Sequence, residues 1–178
     1  MRSAALRCAA AAGLFAGLCS ACSASGFPDP APCASPTSVP SPPPQGNRRD
    51  ISGDFRYRQT LFLGADQLTK LVADFRLRWP DGKFSRDSSF RSEFARYADQ
   101  TRCLAAGLRA LTPPGVAYAD FVVAFQGALD RLVAAVGGAR EGVKSRNVSD
   151  YRDWNTSIDG RIAAVRESFA QLPATRGP

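Results

Sequence analysis

The chain has no histidine, one methionine and only three glutamates among its 178 residues. The missing imidazole removes the commonest general base, the commonest metal ligand and the ordinary near-neutral pH switch. A di-metal centre in a helical domain needs inward glutamates together with Glu-x-x-His, and covalent haem attachment needs Cys-x-x-Cys-His; both require the absent residue. The three glutamates (Glu93, Glu141 and Glu167) also fall off the core positions of the helical pattern given below. Lysine is scarce as well: of 23 basic residues only Lys70, Lys83 and Lys144 are not arginine. No basic block interleaved with aromatics occurs, so the net charge of +7 describes a mildly basic surface, not a nucleic-acid interface. Gly-x-Ser-x-Gly, Ser-x-x-Lys and phosphate-binding glycine loops are all missing. The expectation is a protein without metal, cofactor or nucleic-acid partner, and not an enzyme. An enzyme working through carboxylates or arginine alone ranks last.

What is present begins with a leader. Arg2 and Arg7 precede CAAAAGLFAGLC (8–19), an uncharged run too short to span a bilayer, and small residues follow. Residues 1–21 therefore read as a signal peptide. Bacterial lipoproteins end such a leader in an apolar residue, two small residues and the cysteine that takes the lipid. LCSAC (18–22) resembles that pattern, with Ser20 and Ala21 just before Cys22. It departs where Cys19 stands in place of the usual leucine. The expectation is cleavage before Cys22 and its acylation with palmitate-type chains; cleavage after Ala24 is the alternative and leaves no lipid. The Cys19-x-x-Cys22 spacing also matches a redox or zinc half-site, but Cys19 departs with the leader.

Residues 22–52 read as a disordered, proline-rich tether. Eight of the 13 prolines lie in CSASGFPDPAPCASPTSVPSPPPQGNRRD (22–50), with serine, alanine and glycine between them. Such composition buries too little apolar surface to offset chain entropy. Proline-rich chain extends by about 3 Å per residue, so the tether is expected to hold a domain tens of Å off the membrane.

From residue 53 to 178 the pattern is helical. Apolar residues recur at alternating steps of three and four: Leu61, Ala65, Leu68, Val72, Phe75, Trp79; then Phe90, Phe94, Tyr97, Thr101, Leu104, Leu108, Leu111. A third run is Tyr118, Val122, Phe125, Leu129, Leu132, Val136, Ala139, Val143, and a fourth Tyr151, Asn155, Ile158, Ile162, Val165, Phe169, Leu172. Each set lies on one helical face. WPDGKFSRDSS (79–89) and LTPPGVA (111–117) punctuate the runs, and Ser149 in RNVSDYRD (146–153) reads as a helix N-cap. Short connections predict an all-α domain, an antiparallel up-down-up-down four-helix bundle. Gly137 and Gly138 fall inside the third run and predict a kink or a close helix contact there, with fraying beyond them. Thr101 and Asn155 are the polar residues on core positions, with structural roles expected for both.

Cys33 and Cys103 remain once Cys22 is acylated. In an oxidising compartment the pair reads as a disulfide that staples the tether to the second helix; two free thiols are the alternative. Leu63 and Leu77 fall on outermost positions of the first helix, and with Trp154 they form a candidate interaction surface, Phe55 and Tyr57 adding partly exposed rings.

The layout of leader, Cys22, proline-rich spacer and small helical domain resembles an actinobacterial-type lipoprotein. LAAGLRALTPPGVAYADFVVAFQGAL (104–129) is similar to helix–Pro-Pro–helix segments of secreted actinobacterial proteins. The resemblance is to a chain layout and carries over no catalytic residue. It implies a protein lipid-anchored on the outer face of the cell membrane, or secreted if not lipidated; the tether and the missing catalytic constellations point to a non-enzymatic binding module for an unknown envelope protein. The alternative is a carrier of a small apolar ligand within the bundle core.

Overall fold

The computed structural model describes residues 27–33, 53–80 and 87–174; residues 1–21, Cys22 and most of the proline-rich stretch lie outside them. Among the described residues the chain is all-α, without a strand. Helix α1 spans Gly53–Arg78, α2 Ser88–Arg109, α3 Ala119–Ser145 and α4 Val148–Glu167. Short 3-10 turns at Val116–Tyr118 and Ser168–Gln171 precede α3 and extend α4.

Local chemistry accounts for the boundaries. Asp87 caps α2 by accepting the Ser89 N–H at 2.8 Å. The cap of α4 is Asn147, two residues earlier than the Ser149 expected: its side chain accepts the Ser149 N–H at 3.0 Å. This shift follows from the joint with α3, where Arg146 takes a left-handed conformation (φ 62°) and turns the chain sharply. The Asn147 N–H then donates to the Gly142 carbonyl at 2.7 Å, closing the end of α3. Helix α3 runs unbroken through Gly137 and Gly138, against the expected kink. Both glycines face open space, and the apolar face on either side of them carries the helix across.

The core follows the alternating pattern with two corrections. Trp154, not Asn155, enters the interior from α4, and Phe121, not Val122, enters from α3; Trp154 is 2% exposed and Phe121 0%. The reason is common to both sites. A helical period of 3.6 lets a core face advance by three or by four residues, and the neighbouring positions then compete. The larger aromatic takes the interior because it removes more apolar area from water. Asn155 is exposed and instead accepts hydrogen bonds from Arg76 on α1. Trp154 therefore belongs to no exposed interaction surface. Tyr57 is also buried, while Phe55 is half exposed.

Aromatics cluster in two groups. Trp154 packs edge-on against Phe75 and Phe94, with Phe90, Tyr97 and Tyr151 alongside. Tyr57, Tyr118, Phe121, Phe125 and Phe169 form the second group. Leucine, isoleucine and valine occupy the core between them. Gly64 of α1 lies so close to Leu108 of α2 that a Cβ would collide with it. Helix α3 packs most extensively on α4 and then on α2; α1 packs mainly on α2 and least on α4. Val116–Ser145 is by length and composition apolar enough to cross a membrane, its most apolar 18-residue window having a mean hydropathy of 1.4. In the fold, Phe121, Phe125, Leu129, Leu132 and Val136 of that stretch face the core.

Candidate functional site

Phe27–Cys33, within the stretch read as tether, lies on the helical domain. Prolines at 28, 30 and 32 keep this strap from helix, and it runs alongside α2. At one end the Arg91 and Arg140 guanidiniums stand 5.6 and 5.0 Å from the Phe27 ring centroid. Further along, the Ala31 N–H donates to Asp99 at 3.0 Å, Arg102 donates to the Ala31 carbonyl, and Arg140 donates to the Pro28 carbonyl. At the other end Cys33 is joined to Cys103 by a disulfide, with Cα atoms 5.2 Å apart. Proline supplies no N–H, so the strap offers mostly carbonyls, and arginines are the donors that meet them.

Arg140 is the centre of this clamp. Its side chain is only 7% exposed, with Asp99 and Glu141 carboxylates at 3.9 and 3.6 Å. A buried guanidinium needs both charge compensation and hydrogen-bond acceptors, and the Pro28 carbonyl and Phe27 face provide part of that need. The strap thus covers a charge that the α2–α3 seam would otherwise leave to water.

Under the strap, between it, α1 and α2, opens a cleft of about 550 Å³. Leu71, Ala95 and Leu104 give it apolar walls, while Gln67, Arg96 and Gln100 stand among the polar ones. Asp29 and Asp99 also line it, but Asp99 is engaged by the strap amide and the arginines, so the two do not form a free acid–base pair. A smaller, more charged cleft of about 390 Å³ adjoins it and holds Glu93. Partial burial pushes the Glu93 carboxyl up, but hydrogen bonds from the Trp79 indole and Arg78, with the charges of Arg78 and Arg96, outweigh it and hold the group below its ordinary range. The Tyr97 hydroxyl is shifted strongly the other way by burial and stays protonated. Near it lie the Thr101 hydroxyl and the Trp154 indole N–H; none of the three completes a well-formed hydrogen bond. Thr101, expected to bond its own helix backbone, does not do so.

The remaining candidate residues are scattered. Leu77 is 84% exposed near the end of α1, Leu63 is half-buried, and Trp154 is in the core, so these three form no common surface. Other exposed apolar side chains are Phe55, Phe62, Val116, Val123 and Val148. No group of three or more metal-ligating side chains occurs among the described residues. The arginine clamp was not among the residues singled out from the sequence. The only signal for it is indirect, in FPDPAPC (27–33), where alternating prolines favour an extended strand short of donors.

No protein-family model, curated protein or solved structure matches this chain.

Proposed function

We propose that the protein is exported, acylated on Cys22 and held on the outer face of the cell membrane, where its helical domain works as a non-enzymatic binding module. Its helices form an antiparallel up-down-up-down bundle. That reading is supported by Gly64 meeting the end of α2 at Leu108 while Phe75 meets its start at Phe90. The observation that carries the binding role is the cleft under the strap: concave, apolar-walled, rimmed by amides, and roofed by a segment tied covalently at Cys103. Asp99 is held by the strap amide and the arginines, which favours recognition over catalysis. The partner is an envelope protein that places an apolar side chain between Leu71 and Leu104; nucleic acid and metal are not partners.

The first test is the intact mass of the protein taken from its own membrane, before and after reduction. The expected mass begins at Cys22, carries acyl chains and rises by two hydrogens on reduction. A mass beginning at Ser25 without lipid overturns the anchor. A photo-crosslinking residue at Gln100 then tests the cleft: it is expected to capture one envelope protein that the same residue at Asp130, outside the cleft, does not. Equal capture at both positions overturns the binding site.

A further inference from the structure

The strap determines where the anchor leaves the domain. Phe27 sits beside Arg91 near the start of α2, and Cys33 is bonded to Cys103 further along the same helix. The six steps from Phe27 to Cys33, at about 3.1 Å each in an extended proline-rich chain, cover about 19 Å. The twelve helical steps from Arg91 to Cys103, at about 1.5 Å each, cover about 18 Å. The two lengths match, so the strap lies along α2 and its amino end emerges where α2 begins. The end of α1 and the beginning of α4 meet α2 there: Trp79 and Tyr151 both pack on Phe90. The end of α3 arrives there too, since Arg91 donates to the Lys144 carbonyl.

Only residues 23–26 separate Cys22 from Phe27. Five steps of chain span at most about 18 Å, against about 100 Å for the full length from Cys22 to α1. We propose that the strap holds the domain flush against the bilayer, not at the reach of a proline-rich tether, and that this end of the domain faces the phospholipid headgroups. The inference rests on the reading of Cys22 as the lipid-bearing residue. The end presents exposed Leu77, Arg78, Lys144, Arg146 and Val148. Arg78 and Lys144 have acid partners in Glu93 and Glu141, while the exposed leucine and valine suit an interface that is apolar just below its charged surface. The clamp on Phe27, Pro28, Ala31 and Cys33 therefore sets both the distance and the orientation of the domain.

The test uses the acylated protein from its own membrane, its acyl chains verified by mass, in a supported bilayer of phosphatidylcholine and phosphatidylglycerol studied by neutron reflectometry. The oxidised protein is expected to begin within about 20 Å of the headgroups, the chain limit of residues 22–26. Replacing residues 27–33 by seven glycines and serines removes the Phe27 ring, the disulfide and the proline stiffness that hold the contacts to Asp99, Arg102 and Arg140, and touches no helix. The domain layer of this variant is expected to move outward severalfold with unchanged helical circular dichroism. A wild-type layer standing as far out as the variant, or a variant layer that does not move, overturns the proposal. Absence of acyl chains in the mass overturns the anchor reading instead. In that case a chain produced from residue 22 onward carries Cys22 as a free thiol beside the Cys33–Cys103 disulfide, and coupling it to a maleimide lipid puts the same question to the strap with the same two outcomes.

Discussion

Helix α4 is attached to its two neighbours in different ways. Against α3 it closes by packing: the joint is tight, and Gly142 sits where a Cβ would come 2.5 Å from that of Asp150. Against α1 it closes by the Phe75–Trp154 ring contact near one end and, along the rest of the seam, by arginine bridges. Arg76 reaches both oxygens of Asp159 at 2.8 Å and also bonds Asn155, while Arg166 pairs with Asp66 and Thr69. Between these bridges a cleft of about 370 Å³ remains open over Val72, Ala73 and Ile162. The difference teaches which seam carries stability. Buried apolar contact scales with area and is indifferent to salt, whereas exposed ion pairs are worth little each and are screened.

The comparison can be broken most severely at Trp154, which joins α4 to the aromatic cluster of α1 and α2. Trp154→Ala is expected to lower unfolding free energy by about 3–5 kcal/mol in chemical denaturation. A loss below about 1 kcal/mol would mean that the tryptophan does not anchor the helix. Next comes the α3–α4 joint. Gly142→Ala pushes a Cβ onto Asp150 and the Asn147 carbonyl, and overpacking of this kind costs about 1–3 kcal/mol. An unchanged midpoint would show that the elbow opens freely. Across the other seam, Arg76→Ala is expected to cost no more than about 1 kcal/mol, with the difference from wild type shrinking as salt is added. A larger, salt-independent loss would place the α1–α4 seam in the same class as the packed one.

The smallest effect belongs to Glu93, which ties α1 to the start of α2. Its pKa is lower in the folded protein than its ordinary 4.5, so its contribution is present above that value and is lost as pH falls through the lowered one. Glu93→Gln is expected to remove a few tenths of a kcal/mol near neutrality and to flatten the acid limb of the stability curve slightly. An acid limb identical in the two proteins would assign that limb to other carboxylates.

The helices and most of their core faces were legible in the sequence. Leu61, Leu68, Phe94, Leu104, Leu129, Val136 and Ile158 stand in the interior where the alternating steps place them. The two misplacements, Val122 for Phe121 and Asn155 for Trp154, share the ambiguity of three against four. The candidate site was legible in its cysteines, because only two remain after the leader and Cys22 are set aside. The arginines of the clamp were not. Arg140 bonds a carbonyl 112 residues away, and a backbone carbonyl leaves no mark on residue identity. An arginine beside a core alanine reads as a surface residue until its partner is placed in space.

By itself the sequence determined the class of fold and the helix-breaking joints, because periodicity, capping and proline geometry act over a few residues of chain. Only the tertiary structure decided which of two adjacent residues enters the core, which arginines are buried, and that Phe27–Cys33 lies against α2. Those outcomes depend on which surfaces meet across long sequence separations, where volume and charge compensation choose among positions that local periodicity leaves equivalent.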